Sequence, residues 1–280
     1  MKFSLPVSDF NLEHTLECGQ AFRWEKSGSF YTGVIGDAAV KVSFDGRKLA
    51  VEASPGADKK RIADYFGLNE DLPRIYKKIG GDPNIKKAIK KYRGLRILNQ
   101  DRWECLASFI LSSYTNIPRI KKMIASLSRR LGKRLVLGGT EIYSFPPAGK
   151  IAKAGMKELK GLGLGFRAGY IKDTAQKVAS KKFDLDALED LNYGEAKERL
   201  MTLKGVGGKV ADCVLLFSFK RYEAFPVDVW IKRGLEELYF NGKAVTPEKA
   251  AEFARERFGG YAGYAQEYLY HYLRHEKERS

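Results

Sequence analysis

Hydrophobic and polar residues alternate in the early part of the chain, and hydrophobic residues recur at helical spacing over most of the remainder. Between residues 21 and 53 the alternation has a period of two, and the dipeptides Ser27-Gly28, Gly36-Asp37 and Asp45-Gly46 interrupt it. Short alternating runs separated by such dipeptides are typical of antiparallel strands joined by tight turns. The pattern therefore predicts an antiparallel β-sheet near the N-terminus.

The period changes near residue 58, and from Leu95 onward the pattern is almost wholly helical. Apolar residues there recur three and four positions apart, as they do on one face of a helix. A chain of 280 residues is long enough for more than one domain. We predict an α+β fold, with a β-sheet domain that includes short helices over residues 1–94 and a helical region over residues 95–280.

A glycine-rich stretch from Leu203 to Cys213 joins two short helices of the helical region. Gly205 and Gly207 can adopt positive φ and let a phosphate approach the main chain, and the second helix offers unpaired N–H groups at its start. We interpret this stretch as a helix-hairpin-helix motif that binds the DNA backbone together with Lys204. The alternative is a helix C-cap that simply leads into a new helix.

Composition supports a polyanionic partner and a reducing compartment. The chain has 50 Lys and Arg residues against 34 Asp and Glu residues, a net charge of +16 that suits nucleic acid, although ribosome-associated and membrane-surface proteins share it. Cys18, Cys105 and Cys213 are too few and too scattered for an iron–sulfur cluster, a zinc site or paired disulfides. We expect no metal, no cofactor, no membrane span and no signal peptide.

Lys209 and Asp228 are the candidate catalytic pair. Lys209 stands in the first turn of the second hairpin helix, where the helix dipole disfavours an ammonium and so favours a neutral, nucleophilic amine. From the hairpin alone, Lys209 would more simply bind phosphate. Asp228 follows Pro226-Val227 and begins a new apolar-patterned segment, which predicts a helix N-cap. A rigidly held carboxylate there is suited to face a developing positive charge.

Six blocks of sequence, in the same order along the chain, resemble a known family. The blocks are Cys18 to Trp24, Gly94 to Leu106, Ser112 to Ile120, Leu162 to Ala168, Leu203 to Trp230 and Tyr261 to Gln266. Together they are similar to the 8-oxoguanine DNA glycosylases of the helix-hairpin-helix (HhH-GPD) superfamily. The pairing of Lys209 with Asp228 resembles the branch of that superfamily that combines glycosylase and lyase activities.

The resemblance implies a twisted antiparallel sheet followed by two mostly helical subdomains, with the C-terminal helix returning to the cleft between them. Duplex DNA would lie in that cleft, and an 8-oxoguanine nucleotide would be flipped out of the helix. Lys209 would add to C1′, expel the base and form a Schiff base that permits strand cleavage. Asp228 would stabilise the oxocarbenium-like sugar. The implied function is base-excision repair by a DNA glycosylase with AP lyase activity.

The resemblance also assigns residues to the lesion base. 8-Oxoguanine carries N7–H where guanine has a lone pair, so a single acceptor distinguishes the two bases. In the family a glycine carbonyl is that acceptor, and Gly19 occupies its position. Cys213 and Tyr270 would contact the two faces of the base, and the Gln266 amide would bind its pyrimidine edge. Without the resemblance, Gly19 would be a turn residue, and Cys213 and Tyr270 would be core residues.

The resemblance assigns a further group to the DNA stack. Phe166 would be the wedge that holds the stack open, although pattern alone would make it a buried loop anchor. The residues that would hold the orphaned partner base are Arg167, Asn116 and Arg119. Two departures from the family affect the contacts with DNA, the first at the partner base and the second at the 5′ phosphate of the lesion. Tyr114-Thr115 replace consecutive asparagines, and Trp230 replaces the usual histidine.

Partner and location follow from this interpretation. The expected partner is double-stranded DNA that contains 8-oxoguanine, and the protein is expected to act as a monomer. It would work in the cytoplasm beside the nucleoid, or in the nucleus of a eukaryote. Two alternatives remain open, namely a related glycosylase for another oxidised or alkylated base, and a non-catalytic helix-hairpin-helix DNA-binding protein.

Overall fold

The chain begins with a five-stranded antiparallel sheet, which confirms the prediction from alternation. In the computed structural model, which describes residues 1–277, the strands are β1 Lys2–Pro6, β2 Glu25–Ser27, β3 Phe30–Ile35, β4 Ala38–Phe44 and β5 Lys48–Ala53. Their order across the sheet is β1-β5-β4-β3-β2, and each neighbouring pair is antiparallel. The last three residues of the predicted helical region, 278–280, lie outside the described residues.

Strand β1 is absent from the sequence prediction. It pairs with β5 so that Phe3 lies opposite Val51 and Leu5 lies opposite Leu49. The two strands are far apart along the chain, and no turn signal connects them. Alternation reports only on near neighbours, so this pairing becomes visible only in the folded sheet.

Helices make up most of the remaining chain, which confirms the α+β class. They are α1 Leu12–Glu17, α2 Lys59–Tyr65, α3 Leu72–Ile79, α4 Pro83–Lys91, α5 Arg102–Leu111, α6 Ile117–Leu131, α7 Ala148–Lys153, α8 Met156–Leu159, α9 Arg167–Ala179, α10 Tyr193–Met201, α11 Gly208–Ser218, α12 Val229–Tyr239, α13 Pro247–Phe258 and α14 Ala262–Lys277. Shorter helical turns are a π-helical turn at Lys160–Leu164 and 3-10 turns at Asp186–Leu188 and Gly259–Tyr261. Each of these helices is too short or too polar to be a membrane span within the described part of the chain.

Polar side chains fix where several helices begin. The side-chain oxygens of Asp101, Asn116 and Asp228 each accept the N–H three residues later, at 2.8, 3.0 and 2.8 Å. Asn192 and Glu195 form a reciprocal capping box at the start of α10. Such caps satisfy N–H groups that a helix start leaves unpaired. The predicted N-cap at Asp228 is therefore confirmed.

A two-stranded hairpin interrupts the region that the sequence predicts to be almost wholly helical. Strands β6 Arg134–Leu137 and β7 Thr140–Tyr143 pair around Gly138-Gly139. Leu135 packs with Val34 and Ala39 of the N-terminal sheet. The sequence prediction did not include these two strands, because such short strands depend on packing against another part of the chain.

Two large hydrophobic clusters form the interior. One packs under the sheet around Trp24 and Phe66, and the other fills the helical region. Ile75 of α3 and Ile85 of α4 belong to the helical cluster, although they precede residue 95. The helical cluster therefore includes residues on both sides of the proposed boundary. The division into residues 1–94 and 95–280 remains a prediction.

Gln20 connects the turn that precedes β2 to the helical region through hydrogen bonds of its side chain. Its buried amide donates to the carbonyl oxygens of Thr15 and Arg96, both at 2.8 Å. Its own side-chain oxygen accepts the N–H of Leu98 at 2.8 Å. Because both ends of the amide are bonded, the adjacent Gly19 is held in a defined position.

Candidate active site

A cleft of about 920 Å³ opens on the helical region. The predicted site residues that line it are Gly19, Asn116, Gly205, Gly207, Lys209, Asp228 and Tyr270. These residues come from widely separated segments, so the fold brings them together at one surface. The remaining predicted residues lie outside this lining, and they are Lys204, Cys213, Gln266, Phe166, Arg167 and Arg119.

The turn between α10 and α11 depends on one glycine. Gly205 has φ +81°, and a Cβ there would lie 2.6 Å from Cδ2 of Tyr170. Gly207 instead has extended backbone, with φ −99° and ψ −178°, which corrects the expectation of positive φ at both positions. Gly207 is the N-cap of α11 and has no side chain to cap its first-turn N–H groups. Uncapped N–H groups of this kind are suited to a phosphate.

Two lysines flank this turn and have different surroundings. Lys204 is exposed, and its ammonium lies 3.1 Å from a carboxylate oxygen of Asp173. Lys209 is half-buried, and its Nζ atom lies 5.0 Å from the centroid of the Phe109 ring. Burial raises the pKa of the Cys213 thiol to about 12, while the charge of Lys209, one turn earlier on α11, acts to lower it. Lys209 is thus the lysine that faces the interior of the site.

Asp228 caps α12 beside Lys209. Its carboxylate accepts the N–H of Ile231 at 2.8 Å. Burial raises the pKa of Asp228, whereas the hydrogen bond from Ile231 and the charge of Lys209 lower it. The ionised form of Asp228 therefore depends on its capping bonds and on the lysine.

Glu267 is a member of the site that sequence reasoning missed. It is only 2% exposed, and its Oε1 atom has no hydrogen-bond partner. The pKa of Glu267 is raised to about 7, chiefly by burial and also by the charge of Asp228, while Cys18 and Lys209 act in the opposite direction. The available signal was an acidic residue within the Tyr-rich segment that carries Gln266 and Tyr270. One ammonium therefore shares this interior with two carboxyl groups.

The residues predicted to hold the lesion base have different surroundings. Gly19 has φ +98°, and a Cβ there would lie 3.5 Å from Cε1 of Tyr270 and 3.3 Å from Cδ1 of Ile117. Cys213 and Gln266 are both buried, and the Oε1 atom of Gln266 has no hydrogen-bond partner. A buried amide oxygen without a partner can accept a hydrogen bond from a ligand that reaches it.

The residues predicted to hold the DNA stack differ in exposure. Phe166 is 53% exposed, contrary to the buried anchor that pattern alone suggests. Arg167 is only 3% exposed, and its guanidinium donates to the carbonyls of Ser113 and Tyr114. Asn116 uses its side-chain oxygen as the N-cap of α6, while the Arg119 side chain is exposed. The roles of these residues toward a partner base remain predictions.

The sheet, the uncapped hairpin and the lysine–carboxylate cleft define a class of DNA-repair protein. Residues 107–259 match the HhH-GPD superfamily of base excision DNA repair proteins, and residues 2–106 match the N-terminal domain of 8-oxoguanine DNA glycosylase. The chain belongs to the 8-oxoguanine DNA glycosylase family within that superfamily. It is accordingly an OGG-type N-glycosylase/DNA lyase, an enzyme of base excision repair.

Individual relatives are similar to this chain over nearly its whole length. A probable N-glycosylase/DNA lyase of Methanothermobacter thermautotrophicus is 30% identical, and the match covers 96% of this chain and 95% of the relative. A structure of MBOgg1 in complex with a low-affinity DNA ligand superposes with a TM-score of 0.95 at 41% identity, over 99% of this chain and 96% of that one. The Clostridium acetobutylicum 8-oxoguanine glycosylase/lyase, bound to double-stranded DNA with cytosine opposite 8-oxoG, has a TM-score of 0.91 at 35% identity, over 98% of each chain.

Metal ligands are not grouped in the part of the chain that the structure describes. Within residues 1–277, no set of three or more His, Cys, Asp or Glu side chains could hold a metal ion. Cys18, Cys105 and Cys213 are all buried and unpaired.

Proposed function

We propose that this enzyme binds double-stranded DNA, flips 8-oxoguanine into the cleft, and uses Lys209 to excise the base and cleave the strand. The observation that carries the proposal is that Lys209 and Asp228 lie on the wall of one cleft, together with Gly19 and Tyr270. A flipped nucleoside needs a concave site with a nucleophile and a counter-charge.

Lys209 acts as the nucleophile in this scheme. Its neutral amine forms a bond with C1′ while the bond between C1′ and N9 breaks, and the departing base takes the electron pair and a proton. Ring opening then gives a Schiff base between Lys209 and C1′. Loss of a C2′ proton expels the 3′ phosphate by β-elimination. Asp228 stabilises positive charge on the sugar during the first step.

Lesion recognition depends on groups that surround the base. The Gly19 carbonyl accepts N7–H of 8-oxoguanine, and guanine is rejected because its N7 lone pair meets the same acceptor. Cys213 and Tyr270 contact the two faces of the base. The Gln266 amide binds the pyrimidine edge, which would satisfy the oxygen that lacks a partner in the free protein.

The DNA strands are held by a separate set of contacts. The first-turn N–H groups of α11 receive a phosphate at Gly205 and Gly207, and Lys204 adds charge beside them. Phe166 wedges the stack, and Arg119 and Asn116 face the partner base. We further propose that the enzyme acts as a monomer beside the genome, in the cytoplasm or in a nucleus.

A lesion panel tests this function. Duplexes with 8-oxoguanine, thymine glycol or an alkylated purine are incubated with enzyme, with and without borohydride. Excision of 8-oxoguanine together with a borohydride-trapped complex is the expected result. Preference for another base would favour the related-glycosylase alternative. Binding without excision of any base would favour the non-catalytic alternative.

A further inference from the structure

We infer that Glu267 takes up the proton that the Lys209 ammonium loses when DNA closes the cleft, so that the amine becomes nucleophilic without releasing a proton to water. This role rests on the proposed function and adds to it a positioning residue, one that acts through Lys209. Glu267 does not line the cleft itself. It lies on α14, three residues before Tyr270 of the cleft wall. Its carboxyl group lies next to Cys18, the residue before Gly19 of the same wall.

The Glu267 carboxyl group lacks the hydrogen bonds that usually accompany a buried acid. The side chain is 2% exposed, and its Oε1 atom has no hydrogen-bond partner among the described residues. The neighbouring Cys18 thiol already donates to the Thr15 carbonyl at 3.3 Å. A buried carboxylate without hydrogen bonds is costly, and it commonly takes up a proton instead. An acid in this state is ready to receive a proton from a nearby donor.

The groups that act on Glu267 come from four parts of the chain. They are Cys18 in the turn after α1, Lys209 and Cys213 of α11, Asp228 at the N-cap of α12, and Tyr270 of α14. Burial raises the pKa of both thiols and of the tyrosine hydroxyl, so these three groups stay neutral near pH 7. Lys209 carries the positive charge of this set. A proton that Glu267 receives from within the site therefore comes from the ammonium.

Asp228 is less suited than Glu267 to take this proton. Burial raises the pKa of both acids, but the Asp228 carboxylate accepts the N–H of Ile231 at 2.8 Å. Hydrogen bonds from backbone N–H groups stabilise the ionised form of an acid, and the Oε1 atom of Glu267 has no such bond. The two carboxyl groups thus have different roles. Asp228 stays charged opposite the sugar, and Glu267 holds the proton.

Bound DNA supplies the driving force for the transfer. In the free protein the pKa of Glu267 is raised to about 7, so the carboxyl group is mostly ionised above that pH. DNA covers the cleft and expels water, which destabilises an ammonium and a carboxylate more than an amine and a carboxylic acid. One proton then moves from Nζ of Lys209 to Oε1 of Glu267, directly or through one water molecule. The total charge of the site is unchanged, and the amine can attack C1′.

The experiment follows covalent trapping of an abasic duplex, because this reaction needs the neutral amine but no lesion base. Wild-type enzyme, Glu267→Gln, Glu267→Asp and Tyr268→Phe are each reacted with the duplex and cyanoborohydride in single turnovers from pH 6 to pH 9. Tyr268→Phe is the matched control. Tyr268 is the next residue of α14, is buried, and donates its hydroxyl to the Leu95 carbonyl at 2.9 Å. Its replacement disturbs the same helix without removing an acid.

We expect the wild-type rate to rise with pH and to level off above pH 7, where Glu267 is ionised before DNA binds. The Glu267→Gln rate should be about 100-fold lower at pH 7, because the lysine must release its proton to water. That rate should keep rising with pH, so that the deficit falls below about tenfold at pH 9. Glu267→Asp retains an acid and should keep the wild-type shape of the profile. Tyr268→Phe should match wild type within about twofold at every pH.

Binding is measured separately with a duplex that contains tetrahydrofuran, a stable abasic analogue. Its affinity should change by less than about threefold in Glu267→Gln, because the carboxyl group acts on the reaction and does not touch the DNA. A loss of trapping together with retained affinity assigns the effect to the amine.

Two results would overturn this role for Glu267. The first is a Glu267→Gln profile that stays at a constant ratio to wild type at every pH, equal rates included, which would indicate a structural residue. The second is faster trapping by Glu267→Gln at pH 7, which would mean that the carboxylate keeps the lysine protonated. Wild-type enzyme that traps no abasic duplex would contradict the proposed function and this role with it. The two kinds of failure are thus distinguishable.

Discussion

At the scale of single residues, the site is a group of charges withdrawn from water around Lys209. The charge of Lys209 lowers the pKa of both Asp228 and Glu267, while burial raises both. An ammonium cannot attack carbon, so Lys209 must lose a proton before the reaction. Two carboxyl groups next to one amine titrate as a coupled set, and their protonation determines how firmly the ammonium is held.

We predict that Lys209→Gln abolishes base excision while lesion binding is retained. The expected loss is on the order of 10³-fold or more, because the amine that forms the covalent bond is absent. Single-turnover excision and borohydride trapping measure the reaction, and tetrahydrofuran-duplex affinity measures binding. The matched control is Lys204→Gln in the same hairpin, which should still be trapped. A trapped complex with Lys209→Gln would show that another amine is the nucleophile.

We predict that Glu267→Gln stabilises the free protein at alkaline pH more than at acidic pH. The pKa of Glu267 is raised to about 7 in the folded state, from an ordinary value of 4.5. Between those values the folded protein keeps a proton that the unfolded chain has lost, so wild-type stability falls as pH rises from about 4.5 to 7. The loss approaches about 3 kcal/mol above pH 7.

Chemical denaturation at pH 5 and pH 8 measures this effect. The stability difference between Glu267→Gln and wild type should be larger at pH 8, since the variant has no proton to lose at this position. Equal differences at the two pH values would mean that Glu267 has an ordinary pKa. Cys18, Asp228 and Lys209 face this carboxyl group and are unchanged in both proteins.

Sequence reasoning reached Lys209 and Asp228 but missed Glu267, and the reason is physical. A lysine at a helix start and an aspartate at an N-cap have local signatures that near neighbours reveal. A glutamate on a helix is ordinarily solvated, and only the packing of α14 against the rest of the helical core shows that Glu267 is buried.

At the scale of elements, α10 and α11 hold the hairpin in shape. The buried Asp212 of α11 accepts the Tyr193 hydroxyl at 2.6 Å and the Lys197 ammonium at 2.9 Å, and both donors belong to α10. Arg255 of α13 lies 5.6 Å from the Tyr193 ring centroid. The turn between the helices is thus set by buried polar contacts on one side and by glycine on the other.

We predict that alanine lowers protein stability at one hairpin glycine and DNA affinity at the other. Gly205→Ala should destabilise the protein by about 2 kcal/mol or more, because φ is +81° and the new Cβ would lie 2.6 Å from the Tyr170 ring. Gly207→Ala should change stability little, because its backbone is extended and no atom lies within 4 Å of a Cβ there. Its methyl group would instead face the phosphate site and weaken DNA binding about tenfold.

Thermal denaturation and duplex affinity separate these two effects. Each variant serves as the control for the other, because both place the same methyl group in the same turn. Wild-type DNA affinity in the Gly207→Ala protein would show that the start of α11 does not bind phosphate. A Gly205→Ala protein with wild-type stability would mean that Tyr170 moves aside without penalty.

At the scale of the whole molecule, the sequence was most informative where local rules act. Alternation predicted the strands β3, β4 and β5, and glycine spacing predicted the hairpin. The strand β1 and the hairpin of β6 and β7 were not predictable, because each is stabilised by contact with a distant part of the chain. Packing across the molecule likewise decides that Arg167 is buried and Phe166 exposed. The site is therefore predictable in its chemistry and less so in its geometry.

The same long-range packing brings all three histidines of the chain to one place. The His271 ring on α14 lies 5.5 Å from His14 on α1, 4.6 Å from His275, and 4.3 Å from the Tyr92 ring. Burial, and then the charges of His275, His14, Arg274 and Lys91, lower the pKa of His271 to about 3. Protonation at this junction would place a charge where the N-terminal part of the chain meets the helix that carries Gln266 and Tyr270.

We predict that this junction makes the whole fold sensitive to acid. The ordinary pKa of histidine is 6.5, so between pH 6.5 and 3 the unfolded chain binds a proton at His271 that the folded protein excludes. The contribution of His271 to the free energy of unfolding is therefore fully present above pH 6.5. It is lost as the pH falls, by about 3 kcal/mol at pH 4. His271→Phe keeps a packed ring without titration and should lose less stability between pH 7 and pH 4 than wild type does. Denaturation curves at both pH values measure this, with Phe30→Ala as a control, and parallel losses in wild type and His271→Phe would contradict it.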